Sequence, residues 1–60
     1  MEKATFTVEE TAGYLGIGRN KAYELVSLGI IPHLKLGKQI RIPKVSLDEW
    51  ITAEALKQAQ

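Results

Sequence analysis

Residues 7–28, TVEETAGYLGIGRNKAYELVSL, hold two short stretches of helical apolar periodicity separated by only Gly16-Ile17-Gly18. So short a connection forces the chain to turn sharply between two helices, and Gly16 can take the positive φ that such a turn needs. The fold is therefore built around a tight helical pair, and whatever that pair presents to solvent is the first candidate for function.

The first helix is expected to start at Thr7. Thr7-x-x-Glu10 fits a capping box, in which the hydroxyl accepts from a first-turn amide and the carboxylate accepts from the cap amide. Glu9 and Glu10 also sit at the positive end of the helix dipole. Val8, Ala12 and Leu15 form an i, i+4, i+7 stripe facing a core, while Gly13 weakens the helix by ~1 kcal/mol relative to Ala. Thr5 and Phe6 suit a brief extended lead-in, from which Phe6 either staples onto Thr11 or packs under a sheet.

The second helix is expected from Arg19 to Leu28, with Gly18 as its N-cap and Gly29 as its left-handed stop. Ala22, Leu25 and Val26 share one face; Arg19, Asn20, Tyr23 and Ser27 lie opposite, with Lys21 on the flank. An exposed first turn of Arg, Asn and Lys has chemistry suited to a DNA major groove. Arg matches guanine O6 and N7, Asn matches adenine N6 and N7, and Lys matches phosphate. Tyr23 reads either as a core-edge aromatic or as a hydroxyl contacting phosphate.

Residues 33–42, HLKLGKQIRI, alternate in polarity as a hairpin does. A two-residue Gly37-Lys38 turn would set Lys35 opposite Ile40 and mix the faces. A three-residue loop, Gly37-Lys38-Gln39, pairs Leu36 with Ile40, Lys35 with Arg41 and Leu34 with Ile42, and is the expected register because cross-strand partners share a face. It leaves Lys35 and Arg41 as a like-charge pair that an anion such as a phosphate would relieve. An isolated hairpin is marginal, so its apolar face must pack on the helices. Pro43 suits the first turn of a third helix reaching about Leu56, with Leu47, Trp50 and Ile51 buried. Trp50 reads as the keystone of the core rather than as a stacking platform, and residues 57–60 are expected to fray.

The charge is nearly balanced, at +1, but it is unevenly distributed. Arg19, Lys21, Lys35, Lys38, Arg41 and Lys44 fall within residues 19–44, where Glu24 is the sole acid; the other acids precede or follow. A chain of 60 residues is expected to form one domain with a modest core. With no Cys, neither a disulfide nor a thiolate zinc site can supplement it. His33 is the single His and lacks a partner base, and Asp48 and Glu49 are adjacent on a helix and do not face one another. No phosphate loop or metal-ligand cluster is present, so an enzyme, a cofactor and a metal are not expected. No apolar run approaches the roughly 20 residues of a membrane span, and Met1-Glu2-Lys3-Ala4 carries no apolar signal region. A cytoplasmic location is expected.

The ordered set of these features resembles the excisionase-like, MerR-type winged helix-turn-helix family. It comprises Thr7-Val8-Glu9-Glu10 opening the first helix, Leu15-Gly16-Ile17 closing it, and Tyr23 in the second. Ile31-Pro32 lead into a wing, Gly37-Lys38 form its tip, Ile42-Pro43 leave it, and Leu47-Asp48-Glu49-Trp50 follow. Gly18 stands where the family commonly has a Ser cap, and Asn20-Lys21 occupy variable reading positions. The resemblance implies a mainly α fold with a small β-hairpin: helix-turn-helix, two-stranded wing and C-terminal helix. It implies double-stranded DNA as partner, with Arg19, Asn20, Lys21 and Tyr23 in the major groove. Lys35, Lys38, Gln39 and Arg41 would lie on a wing against backbone or minor groove, and Thr7 would offer its helix-end amides to a phosphate. Family members include recombination directionality factors of phages and integrative mobile elements, which bend DNA and assist an integrase, and small prophage transcription regulators. Integrase contact and cooperative protomers on DNA are implied by resemblance alone. The chain starts at Met1 and stops soon after the third helix, so a stand-alone reader without effector domain or long coiled coil is expected, favouring the excisionase role. A non-catalytic protein adaptor is the other class; it would use exposed apolar groups such as Val45, Ala53 and Leu56.

Overall fold

A computed structural model describes residues 4–58. The elements run β1 (Thr5–Phe6), α1 (Val8–Leu15), α2 (Arg19–Ser27), β2 (Leu34–Leu36), β3 (Gln39–Pro43) and α3 (Lys44–Gln58). This is the expected mainly helical fold with a small wing. The difference is that the sheet has three antiparallel strands in the order β1-β3-β2, because the lead-in Thr5-Phe6 pairs with the wing.

Caps define both early helices. At the start of α1 the Thr7 amide donates to Glu10 Oε1 at 2.9 Å and the Glu10 amide donates to Thr7 Oγ1 at 3.0 Å, which completes the capping box. At its end Gly16 takes φ 73°, the Gly16 amide donates to Gly13 O, and the Ile17 amide donates to Ala12 O. Helix α2 closes the same way: Gly29 has φ 74°, its amide donates to Val26 O, and the Ile30 amide donates to Leu25 O. Both are Schellman endings, in which a left-handed residue lets two later amides satisfy otherwise unpaired helix carbonyls. Gly18 caps α2 without a side-chain hydrogen bond.

The core draws on every layer. Val8 and Ala12 of α1, Ala22 and Val26 of α2, Ile31 of the connection, Ile42 of β3 and Leu47 of α3 are buried together. Thr11 is buried too, its hydroxyl donating to the Thr7 carbonyl at 2.9 Å, so no polar group is stranded there. Phe6 packs against this core and meets Tyr14, ring centroids 5.2 Å apart. Trp50 is not the keystone: it is half-buried and packs on the rim, and Leu47, fully enclosed, holds the centre of α3's buried stripe. A side chain as large as Trp is rarely fully buried, least of all in so small a core.

The wing register also differs from expectation. Leu34 pairs with Arg41, Lys35 with Ile40, and Leu36 with Gln39, around a two-residue Gly37-Lys38 turn. Gly37 has φ 64° and, among the described residues, no non-glycine residue has positive φ, so Lys38 does not; this is the sign pattern of a type II′ hairpin turn. The hydrophobic pattern does not decide the register because β2 is exposed along its whole length; Leu34 and Leu36 do not reach the core. Turn geometry then fixes the pairing. Lys35 and Arg41 consequently lie on opposite faces, and no like-charge pair forms.

Pro43 ends β3 opposite Thr5 and does not open α3. It tolerates that place because β2 pairs only as far as Arg41, leaving no wing partner that needs its missing amide. The Lys44 amide donates to Ala4 O at 2.9 Å and carries the junction into the helix. Helix α3 extends past the expected end at Leu56 to include Lys57 and Gln58, while residues 59–60 lie outside the described part. Leu47→Ala should lower stability by roughly 2–5 kcal/mol, whereas Val45→Ala, at a site 71% exposed, should change it by less than about 0.5 kcal/mol. Urea unfolding of the two variants checks this, and equal losses would remove Leu47 from the centre of the core.

Candidate nucleic-acid interface

The three-residue turn folds α2 back on α1, buries Ala22 and Val26, and leaves Arg19, Asn20, Lys21, Tyr23 and Ser27 exposed on the opposite side. The first turn of α2 thus displays the residues that sequence periodicity assigns to it. The sheet then brings the wing beside this surface. Thr7, Val8 and Glu9 from the start of α1, Tyr23 of α2, and Lys38, Gln39, Ile40 and Arg41 of the wing line one open hollow of about 350 Å³.

Five expected site residues therefore share a site: Thr7, Tyr23, Lys38, Gln39 and Arg41. Arg41 is half-buried, and its Nε–H donates to Thr5 Oγ1 at 3.1 Å, so β1 braces the guanidinium from behind. Lys38 sits in the wing-tip turn and makes no ion pair among the described residues. Tyr23 is 47% exposed and lines the hollow. Asn20 and Lys21 are exposed on α2 but outside the hollow, and Lys21 lies 3.9 Å from Glu24. Lys35 is also outside it, opposite Ile40.

The segregation of charge along the chain does not survive folding intact. Glu9 reaches across the helical pair and accepts from Arg19 Nη1 at 3.0 Å. In sequence Glu9 serves the dipole of its own helix; its contact with Arg19, ten residues on, exists only because the turn folds α2 over α1. Lys44 lies 3.8 Å from Asp48 in the same way that helical spacing predicts for i, i+4.

Away from this surface, Asp48 accepts from the Tyr14 hydroxyl at 2.7 Å and ties α1 to α3. Nothing in the sequence pairs these residues, 34 positions apart. His33 points Nδ1 at the Ile31 carbonyl, 2.9 Å away, a backbone contact. Leu15, Ile17, Leu25, Trp50 and Ile51 border a separate apolar hollow with Glu54, Ala55 and Gln58 at its edge. Among the described residues no three His, Cys, Asp or Glu side chains gather to hold a metal, and no helix is long and apolar enough to cross a membrane.

Comparison with known proteins shows the family of the chain. A family model described as a helix-turn-helix domain matches residues 5–55. A "Probable excisionase" from Saccharopolyspora erythraea is 42% identical over 48 residues, covering 80% of this chain and 49% of that protein. The uncharacterized protein YvgK of Bacillus subtilis (strain 168) is 30% identical over 57 residues, covering 95% of this chain and 18% of that protein. The chain thus spans about half the length of the first relative and under a fifth of the second. No solved structure matches it at a significant level.

The Tyr14–Asp48 bond has a pH signature. The carboxylate accepts from the neutral phenol, and this bond, then desolvation, then repulsion between phenolate and carboxylate raise the Tyr14 pKa above its ordinary value of 10.0. The sign is that of a group whose protonated form the fold favours. Its contribution is complete below the unfolded pKa and disappears as pH rises through the higher folded one. In a Tyr23→Phe background, where Tyr14 is the remaining tyrosine, the ultraviolet titration midpoint should move down when Asp48→Ala is added. An unchanged midpoint would mean that the bond does not form in solution.

Proposed function

The chain belongs to the helix-turn-helix domain family, and on that premise we propose that it is a non-catalytic, sequence-specific double-stranded DNA-binding protein of excisionase type. Helix α2 enters the major groove with Arg19, Asn20, Lys21 and Tyr23, and the wing lies on the adjacent backbone or minor groove. The observation that carries this reading is the convergence of Thr7, Tyr23, Lys38, Gln39 and Arg41 on one hollow beside the exposed first turn of α2. Its cations come from the wing and its hydroxyls from the two helices, a combination that suits one phosphate of a strand passing between wing and helix.

The division of labour follows from each group's chemistry. Arg19 and Asn20 present paired donors and acceptors that distinguish bases. Lys38, on a turn and without an ion-pair partner among the described residues, is a point charge for phosphate. Arg41, braced by Thr5, holds a fixed direction toward the hollow. Lys35 contributes from the other wing face, where the strand register puts it near Ile40. The capping box at α1 uses the Thr7 and Glu10 amides, so it is the remaining first-turn amides of Val8 and Glu9 that a phosphate at this helix end would meet.

The excisionase reading rests on the relative in Saccharopolyspora erythraea and on the MerR-type winged pattern of the sequence. It makes the chain a recombination directionality factor of a phage or integrative element, acting in the cytoplasm by bending DNA beside an integrase. A site recovered from random duplexes by repeated binding to the protein supplies the test. On that site Arg19→Ala should cost ~1–3 kcal/mol and relax the preference at one base pair. Lys38→Ala should weaken binding to selected and scrambled duplexes alike and flatten the salt slope by about one unit. Failure of the protein to enrich any sequence, together with binding that ignores salt, would overturn the reading.

A further inference from the structure

Glu9 is an acid on the proposed DNA-facing surface: it borders the hollow and holds Arg19 at 3.0 Å. An acid there opposes attraction to phosphate, so its place needs a reason beyond the helix dipole. We propose that Glu9 is a specificity-determining positioning residue that makes Arg19 a reader of one base while cancelling its attraction for phosphate in general. The inference rests on the DNA-binding reading above.

Three features support it. First, both side chains remain open, 66% exposed for Arg19 and 58% for Glu9, so the pair is accessible to a ligand and is not a buried strut. Second, Glu9 engages Nη1 alone. A guanidinium carries five N–H groups in a planar fork, so the edge formed by Nε–H and Nη2–H is left free. That edge is the one a base offering two adjacent acceptors, such as guanine O6 and N7, can take bidentately. Third, Glu9 and Arg19 stand in the first turns of two different helices, whose relative placement is locked by the Gly16 turn and the shared core. An exposed Arg on its own explores many rotamers; contact of Nη1 with a second helix narrows that range.

The charge consequence is separate from the geometric one. With a carboxylate at 3.0 Å the pair is close to neutral as seen by a strand. Arg19 then releases few counterions on an arbitrary duplex, yet its free N–H edge still binds neutral base acceptors. Non-specific affinity falls more than specific affinity, and discrimination rises.

Glu9→Gln is the test, because it keeps the side chain's size and its ability to accept from Arg19 while removing the charge. Affinities are measured for the wild type and this variant on the enriched duplex and on a scrambled one over roughly 50–200 mM salt. The variant should bind the scrambled duplex about three- to tenfold tighter, with a salt slope steeper by about 0.9, and gain less on the enriched duplex. Its discrimination therefore falls. In an Arg19→Ala background the same substitution should leave discrimination unchanged, because Glu9 then has no guanidinium to hold or neutralise. Equal gains on both duplexes, or an undiminished effect without Arg19, would overturn the role of Glu9 while leaving the DNA reading in place. Absence of salt-dependent binding by the wild type to either duplex would overturn both.

Discussion

The close packing of α1 on α2 across a three-residue connection is the constraint on which the rest depends. Neither helix exceeds nine residues, well short of the roughly 12–15 at which an isolated helix becomes even marginal in water. Each persists because its apolar face is covered by the other and by the shared core. Ala12 and Ala22 each place a small side chain in the buried cluster, and small side chains allow packed helices to approach closely. Ile31, Ile42 and Leu47 then close the open side, so that connection, central strand and last helix each contribute one fully buried aliphatic group. The exposed first turn of α2 and the tip of the wing are held in place by this arrangement.

Features of the fold that depend on local chemistry are legible in the residues themselves. Thr7 and Glu10 announce their capping box, Gly16 and Gly29 take the left-handed conformations their positions require, and the buried and exposed faces of α2 follow from a 3.6-residue period. What is not legible depends on where distant segments meet. The wing register escapes the hydrophobic pattern because apolar Leu34 and Leu36 suggest burial, while the core has room only for the β3 side of the hairpin. Trp50 misleads because side-chain size says nothing about whether a small core has room for it. Pro43 fits both a helix start and a strand end, and only the pairing of Thr5 decides between them.

The candidate site divides along the same line. Exposure of Arg19, Asn20, Lys21 and Tyr23 is a property of one helix and can be read from it, whereas the grouping of Thr7 and Tyr23 with Lys38, Gln39 and Arg41 is a property of the fold. Linear charge segregation is the least faithful guide. Glu9 lies before the basic segment in sequence and against its first residue in space. On the proposed reading the same surface carries cations suited to any strand and a neutralised Arg suited to particular bases, which is how a nearly balanced chain could act as a selective DNA reader.

The most direct measurement of DNA reading by this surface is an NMR titration of isotope-labelled protein with a short mixed-sequence duplex at low and moderate salt. Non-specific binding of roughly 10⁻⁴–10⁻⁶ M is within its reach, so the target site need not be identified first. A DNA reader of this geometry should show shifts confined to residues 7–9, 19–23 and 35–41 that fade as salt is raised. Shifts gathered instead on Trp50, Ile51 and their apolar hollow, indifferent to salt, would contradict it and point to a protein partner.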